Sequence, residues 1–167
     1  MAKNKEIKTN AMRILERQKI PYEVMTYECD EFVDALKIAD QLGQPYEKMY
    51  KTLVTVGNSK NYFVFVIPID QELDLKKAAR SVGEKAVTMI HVKEINGVTG
   101  YIRGGCTAIG MKKQYVTRID ESAEKMETMI VSGGKIGAQI ELKPEDLRRA
   151  SGAEFADIIV SPCDCKN

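Results

Sequence analysis

Two apolar runs separated by a four-residue polar turn constrain this chain more than any other stretch. Residues 49–57 read M-Y-K-T-L-V-T-V-G and residues 62–67 read Y-F-V-F-V-I, around Asn58-Ser59-Lys60-Asn61. β-Branched and aromatic side chains occupy both faces of each run, the composition of a hairpin buried on two sides. Such a hairpin at the centre of a sheet needs other elements packed over both of its faces, so the rest of the chain has to supply layers.

The flanking segments have that character. Thr9-Asn10 predicts a helix cap, with Ala11, Ile14 and Leu15 at helical spacing through Gln18, and Pro21 ends the region. A strand is predicted over 22–27. A helical stripe follows over 32–42 (Phe32, Val33, Ala35, Leu36, Ile38, Ala39, Leu42), stopped by Gly43. Asp74 caps a predicted helix over 75–82; 86–89 reads as a short strand and 91–96 as a helical turn. Strands are predicted at 101–103, 115–119, 128–131 and 138–142. Pro144 opens a helix over 145–150, where its missing N–H costs nothing, and 155–160 is a last apolar segment. No repeat or low-complexity linker intervenes. Irregular alternation of this kind predicts an α+β fold, a single compact domain with a mixed, largely antiparallel sheet and surrounding helices.

A length of 167 residues with 44% hydrophobic content suits one domain with a full core. We assign that domain to residues 1–160 and a tail to 161–167. Charge is balanced, 25 Lys and Arg against 24 Asp and Glu, which argues against a protein that tracks phosphates over a long nucleic-acid surface. Gripping only the end of a nucleic acid remains compatible with it. No apolar run approaches the roughly 18 residues of a membrane span. The charged start M-A-K-N-K-E-I-K lacks a following apolar stretch. A cytoplasmic protein with no membrane association is expected.

Chemistry concentrates around two glycine clusters, T-G-Y-I-R-G-G-C-T-A-I-G at 99–110 and S-G-G-K-I-G at 132–137. Each alone reads as a tight turn; together they read as two loops able to face each other over one pocket. Lys51 is the odd charge inside the hairpin, sharing a strand face with Met49 and Leu53. Its ammonium must snorkel out, pair, or point into a polar cavity, because desolvating it unpaired is costly. Tyr27 either offers its phenol to a site or packs. Ser132 and Thr107 carry hydroxyls beside glycines, suited to a ligand or to local turn bonds. Cys106 is a nucleophile by residue type with no base adjacent in sequence. Cys29, Cys163 and Cys165 fit neither a disulfide framework nor zinc knuckles, and the single histidine, His91, reads as structural. Neither a dinucleotide fingerprint nor a P-loop is present, and no metal or cofactor is expected.

Taken together, Y-K-T-L-V (50–54), L-D-L-K-K-A-A (73–79), T-G-Y-I-R-G-G-C-T-A-I-G and V-S-G-G-K-I-G (131–137) resemble the YbaK/EbsC family. These are bacterial trans-editing aminoacyl-tRNA deacylases related to the editing domain of some prolyl-tRNA synthetases. The likeness runs from the first helix to Phe155–Ile158. It implies a barrel-like arrangement of the sheet and clearance of Cys-tRNA(Pro), in some settings Cys-tRNA(Cys). The partners it implies are the tRNA acceptor end and prolyl-tRNA synthetase. By resemblance Lys51 is the signature active-site lysine, Tyr27 a pocket tyrosine, and Thr52 follows the lysine. Gly104 and Gly105 form the loop over the aminoacyl ester, with Thr107 after them, and Ser132, Gly133 and Gly134 form the opposite wall. The family is thought to let the substrate's own thiol attack the ester carbonyl, releasing a cyclic thiolactone. Lys51 and Gly104 would then be the catalytic pair, Lys51 through thiol, ribose or phosphate contacts, with backbone N–H groups near Gly104 and Gly105 as the candidate oxyanion donors. Three positions depart from the family pattern. Ala108 replaces a proline, Ile136 replaces an arginine, and Gln139 stands where some members carry an acid. Editing of another amino acid such as Ala-tRNA(Pro) by water attack, or a non-catalytic binding module, would use the same pocket.

Overall fold

A computed structural model describes residues 8–28 and 34–161. Helix α1 (Asn10–Arg17) starts where the Thr9 hydroxyl accepts from Met12 N–H and buries Ala11, Met12 and Leu15. After strand β1 (Glu23–Thr26), helix α2 (Ala35–Leu42) is capped by Asp34 and closed by Gly43 at φ +67°. The predicted start of that helix at Phe32 and Val33 lies outside the described residues. Strands β2 (Tyr50–Gly57) and β3 (Tyr62–Pro68) form the central hairpin. Helix α3 (Leu75–Ser81), capped by Asp74, strand β4 (Val87–Met89), a 3₁₀ turn (Val92–Glu94) and the short helix α4 (Ile95–Thr99) follow. Strands β5 (Val116–Asp120), β6 (Met129–Lys135) and β7 (Ala138–Leu142), helix α5 (Pro144–Ser151) and strand β8 (Glu154–Ala156) complete the order.

The strands form two sheets, an antiparallel β1-β7-β6 and a mixed β4-β2-β3-β5-β8. In the larger sheet β2 runs antiparallel to β3 and β4, while β3–β5 and β5–β8 are parallel. One parallel bridge, Met49 to Ile130, joins the sheets. The expected barrel-like curvature is present only in that loose sense, because the sheets do not close.

Alternation along β3 explains the layering. Val64 and Val66 face a core shared with α1, β6 and β7, whereas Phe63, Phe65 and Ile67 face Ala78 and Ala79 of α3. Both sides of the hairpin are covered, as its composition demands. Each fully buried Val, Ile or Phe contributes about 1.5–3 kcal/mol.

Two expectations are corrected. Residues 101–103 are not a strand; they belong to an irregular loop from Gly100 to Gln114. Gly100 ends α4 at φ +87°, and the Tyr101 hydroxyl donates to Ile109 C=O at 2.5 Å, pinning the loop to itself. The second glycine cluster is also less of a loop than predicted. Strand β6 runs through Ser132-Gly133-Gly134 to Lys135, with a register shift against β7 between Ser132 and Lys135. Gly134 adopts φ +105° there, a bulge conformation that glycine accepts without strain.

Candidate active site

The site begins as an accident of strand pairing on β2. Gly57 N–H donates to Asn61 C=O and Ile69 N–H to Met49 C=O, so odd-numbered residues of β2 bond toward β3. Tyr50, Thr52 and Val54 therefore direct their backbone groups to the other edge. There, Met49 is bridged to Ile130 at one end and residues Thr55, Val56 and Gly57 pair with β4 at the other. Between them, among the described residues, no strand pairs with β2 over Lys51–Leu53, and at Val54 the edge is already engaged, its C=O accepting from Ile90 N–H at 3.2 Å. Strands β6 and β4 diverge from a common neighbour, and the gap between them is a cavity.

Its volume is about 400 Å³, within the range of small-molecule sites. Every residue from Met49 to Val54 contributes to it. Residues of both strand faces can do so because the cavity lies along an edge rather than over a face. The start of α2 (Asp34, Ala35, Ile38) and Ile69 form one wall. Met89, Ile90, Val92 and Ile95 form another, and Arg103, Gly104 and Cys106 a third, with Ser132 and Gln139 opposite.

Of the nine residues that the resemblance assigns to the site, Lys51, Thr52, Gly104 and Ser132 line this cavity. Lys51 is half-buried and has no carboxylate partner among the described residues. Gly104 sits at φ +88°. The Ser132 hydroxyl oxygen accepts from Gly134 N–H at 3.2 Å, which leaves its proton free to be donated.

The other five lie behind the lining. Gly105 is buried, and its N–H donates to Ile102 C=O at 2.9 Å, so that amide is committed to a turn and is not an oxyanion donor. A Cβ on Gly105 would lie 2.8 Å from Lys135 Cα and 2.9 Å from Lys135 C. The two glycine segments thus touch backbone to backbone. Gly133 and Gly134 face α1: Cβ atoms on them would meet Met12 Cε and Thr9 Oγ1 at 3.1 Å. The Thr9 hydroxyl that caps α1 also donates to Gly133 C=O at 2.5 Å. Tyr27 packs against the Ile38–Met49–Ile69 cluster behind the wall. The Tyr27 hydroxyl and the Thr107 hydroxyl are buried with no hydrogen-bond partner among the described residues. Such orphans are rare, and ligand sites are one place that tolerates them.

The comparisons with known proteins bear on this arrangement. The aminoacyl-tRNA editing domain pattern matches residues 30–150. A protein of Enterococcus faecalis named "Putative Cys-tRNA(Pro)/Cys-tRNA(Cys) deacylase EbsC" is 48% identical over 160 residues, 95% of this chain and 98% of its own length. The chain belongs to the aminoacyl-tRNA editing domain family. Its fold recurs in a crystal structure titled as that of "a putative trans-editing enzyme for prolyl tRNA synthetase", with a TM-score of 0.79 and 24% identity over 92% of this chain and 99% of that one. A scaffold protein used for epitope grafting shares the fold at a TM-score of 0.78, with 24% identity over 90% of this chain and 97% of that one.

Within this editing domain, Cys106 is the one lining residue with a thiol. Burial pushes that thiol up to about 11, against a smaller opposing effect of a hydrogen bond with Thr99. At neutral pH it is protonated and a poor nucleophile. Sequence reasoning named Gln139 only as a departure from the family pattern and left it out of the site; it is 5% exposed and stands opposite Ser132 in the β6–β7 register. Its amide lines the cavity without a partner among the described residues. The apolar lining from Ile38, Ile69, Met89 and Ile95 was equally unmarked, since its only sequence signal is ordinary hydrophobic periodicity.

Proposed function

We propose that this protein is an aminoacyl-tRNA deacylase that clears cysteine from mischarged tRNA(Pro). The supporting observation is the convergence of Lys51, Gly104 and Ser132 on one cavity bordered by an unpaired strand edge. That edge and the loop offer backbone N–H groups, and Lys51 offers a cation. Together they suit an ester carbonyl that develops negative charge. The relative named for Cys-tRNA(Pro)/Cys-tRNA(Cys) deacylation supports the same reading.

No lining residue pairs a nucleophile with a base, and the Cys106 thiol is held protonated. Thiol-assisted release fits this better than a covalent enzyme intermediate. The substrate thiol gives up its proton and its sulfur bonds to its own ester carbonyl. The bond from that carbon to the ribose oxygen then breaks, and the ribose oxygen takes the proton. The tRNA leaves with a free 3′ end and cysteine leaves as a thiolactone. Lys51 favours the thiolate, and Gly104 N–H, uncommitted among the described residues, receives the oxyanion. Recognition needs only the acceptor end, consistent with a net charge of +1; prolyl-tRNA synthetase is the partner that would supply the remaining tRNA contacts.

Deacylation of Cys-, Ala-, Ser- and Pro-charged tRNA(Pro) tests the reading. Cysteine-restricted release is expected. Lys51→Ala should lower it by at least about 100-fold with an unchanged melting temperature. Release of alanine alone would favour water attack, inactivity throughout would favour a binding module, and an active Lys51→Ala would overturn the site.

A further inference from the structure

A second cavity, of about 570 Å³, shares the segment 92–99 with the first. Val92 and Ile95 line the catalytic cavity, whereas Glu94, Gly97 and Val98 line the other. Its floor follows from the sheet. Phe63 stands opposite Val116 in the parallel β3–β5 register, so Tyr62 and Tyr115, one residue earlier, come side by side. Their rings meet edge to face with centroids 5.9 Å apart, and both line the cavity.

Two of the polar side chains there are already committed. The Tyr115 hydroxyl donates to Val98 C=O at 2.7 Å, and the Lys112 ammonium to Gly97 C=O at 3.1 Å. These are carbonyls that the end of a helix leaves open, so both side chains build the cavity by holding α4 in place. Glu94 and Lys113 have no such task. Both line the cavity, half-buried and exposed respectively. Neither forms an ion pair or a side-chain hydrogen bond among the described residues. They face one space with opposite charges, too far apart to pair with each other.

That separation selects the ligand. A lone anion drawn to Lys113 meets the Glu94 carboxylate, and a lone cation drawn to Glu94 meets the Lys113 ammonium. A nucleic-acid phosphate is disfavoured for the same reason. A molecule carrying both signs satisfies both side chains at once. The Tyr62 and Tyr115 rings add surface against which an apolar group gains by leaving water.

We propose that this second cavity binds a free α-amino acid with an apolar side chain, its ammonium on Glu94, its carboxylate on Lys113 and its side chain against Tyr62 and Tyr115. The site goes beyond the deacylase reading and does not rest on it. Isothermal titration calorimetry of the full chain with L-phenylalanine tests it. Hydrocinnamate, which lacks the ammonium, and phenethylamine, which lacks the carboxylate, serve as comparisons. Each should bind at least about tenfold more weakly than the amino acid, the effect of one lost hydrogen bond to a charged group. L-Serine, without the apolar side chain, should also bind more weakly. Glu94→Gln and Lys113→Met should each weaken L-phenylalanine by the same factor as the matching analogue. Their melting temperatures without ligand should equal the wild-type value, because neither side chain has a partner to lose. Lys51→Ala, altered in the catalytic cavity, should bind L-phenylalanine as the wild type does.

No binding of L-phenylalanine by the wild type overturns the proposal, as does equal binding of either single-charged analogue. Full affinity in both Glu94→Gln and Lys113→Met also overturns it. Loss of binding in Lys51→Ala would put the amino acid in the catalytic cavity and overturn the second site. If the amino acid binds as expected but no charged tRNA is deacylated, the deacylase reading fails and this site stands.

Discussion

Gly105→Ala tests the claim that the two glycine segments are fitted to each other. The added methyl would lie 2.8 Å from Lys135 Cα, 2.9 Å from Lys135 C and 3.0 Å from Ile136 N. Carbon atoms pack comfortably at about 3.5–4.0 Å, so the two backbones must part by most of an ångström. No side chain can rotate out of the way, since all three atoms are main chain. Overpacking of this kind costs about 1–3 kcal/mol. The loop that moves carries Gly104, and a misplacement near 1 Å can cost about 100-fold in rate. Gly133→Ala is the matched control, because its nearest neighbour is Met12 Cε at 3.1 Å, the end of a flexible side chain. Urea unfolding should show the Gly105 variant less stable than the Gly133 variant, and deacylation should fall much further in the former. Equal stabilities, or full activity in Gly105→Ala, would refute a rigid contact between the segments.

Tyr27→Phe and Thr107→Val remove hydroxyls that have no partner among the described residues. Each variant should keep its unfolding free energy within about 0.5 kcal/mol or gain slightly, while deacylation falls about tenfold if the hydroxyl serves the ligand; a clear loss of stability would reveal an internal partner. Cys106 predicts a pH signature. Below pH 9 both folded and unfolded thiols hold their protons and contribute no slope. Above pH 9 the unfolded thiol ionises while the folded one stays protonated to about 11, so stability falls by up to about 1.4 kcal/mol per pH unit. Unfolding of Cys106→Ala between pH 9 and 10 should show a shallower slope, and its deacylation at neutral pH should be retained.

Much of this fold was legible because local and tertiary preferences agree. Thr9 caps α1 as its spacing predicts, and β3 alternates between two cores as its β-branched and aromatic content predicts. Residues 101–103 misled because Tyr101 in and Ile102 out copy the alternation of a strand. What holds them is the bond from the Tyr101 hydroxyl to Ile109, which leaves no pattern in a sequence. Lys51 stood out as a charge in an apolar strand. Gln139 was visible only as a departure from the family pattern, and Met89 not at all, because both line a cavity that opens where β6 and β4 part, and divergence of strands is not written in any one segment.

That parted edge has a thermodynamic consequence. A run of unmatched backbone groups on a strand normally invites another strand, and here the walls of a cavity admit only something small. A ligand that hydrogen-bonds to the open groups around Thr52 adds bonds that the free protein does not make within its own sheet. Occupancy should therefore raise the melting temperature through the sheet itself, with slowed amide exchange concentrated at Thr52 and Val54.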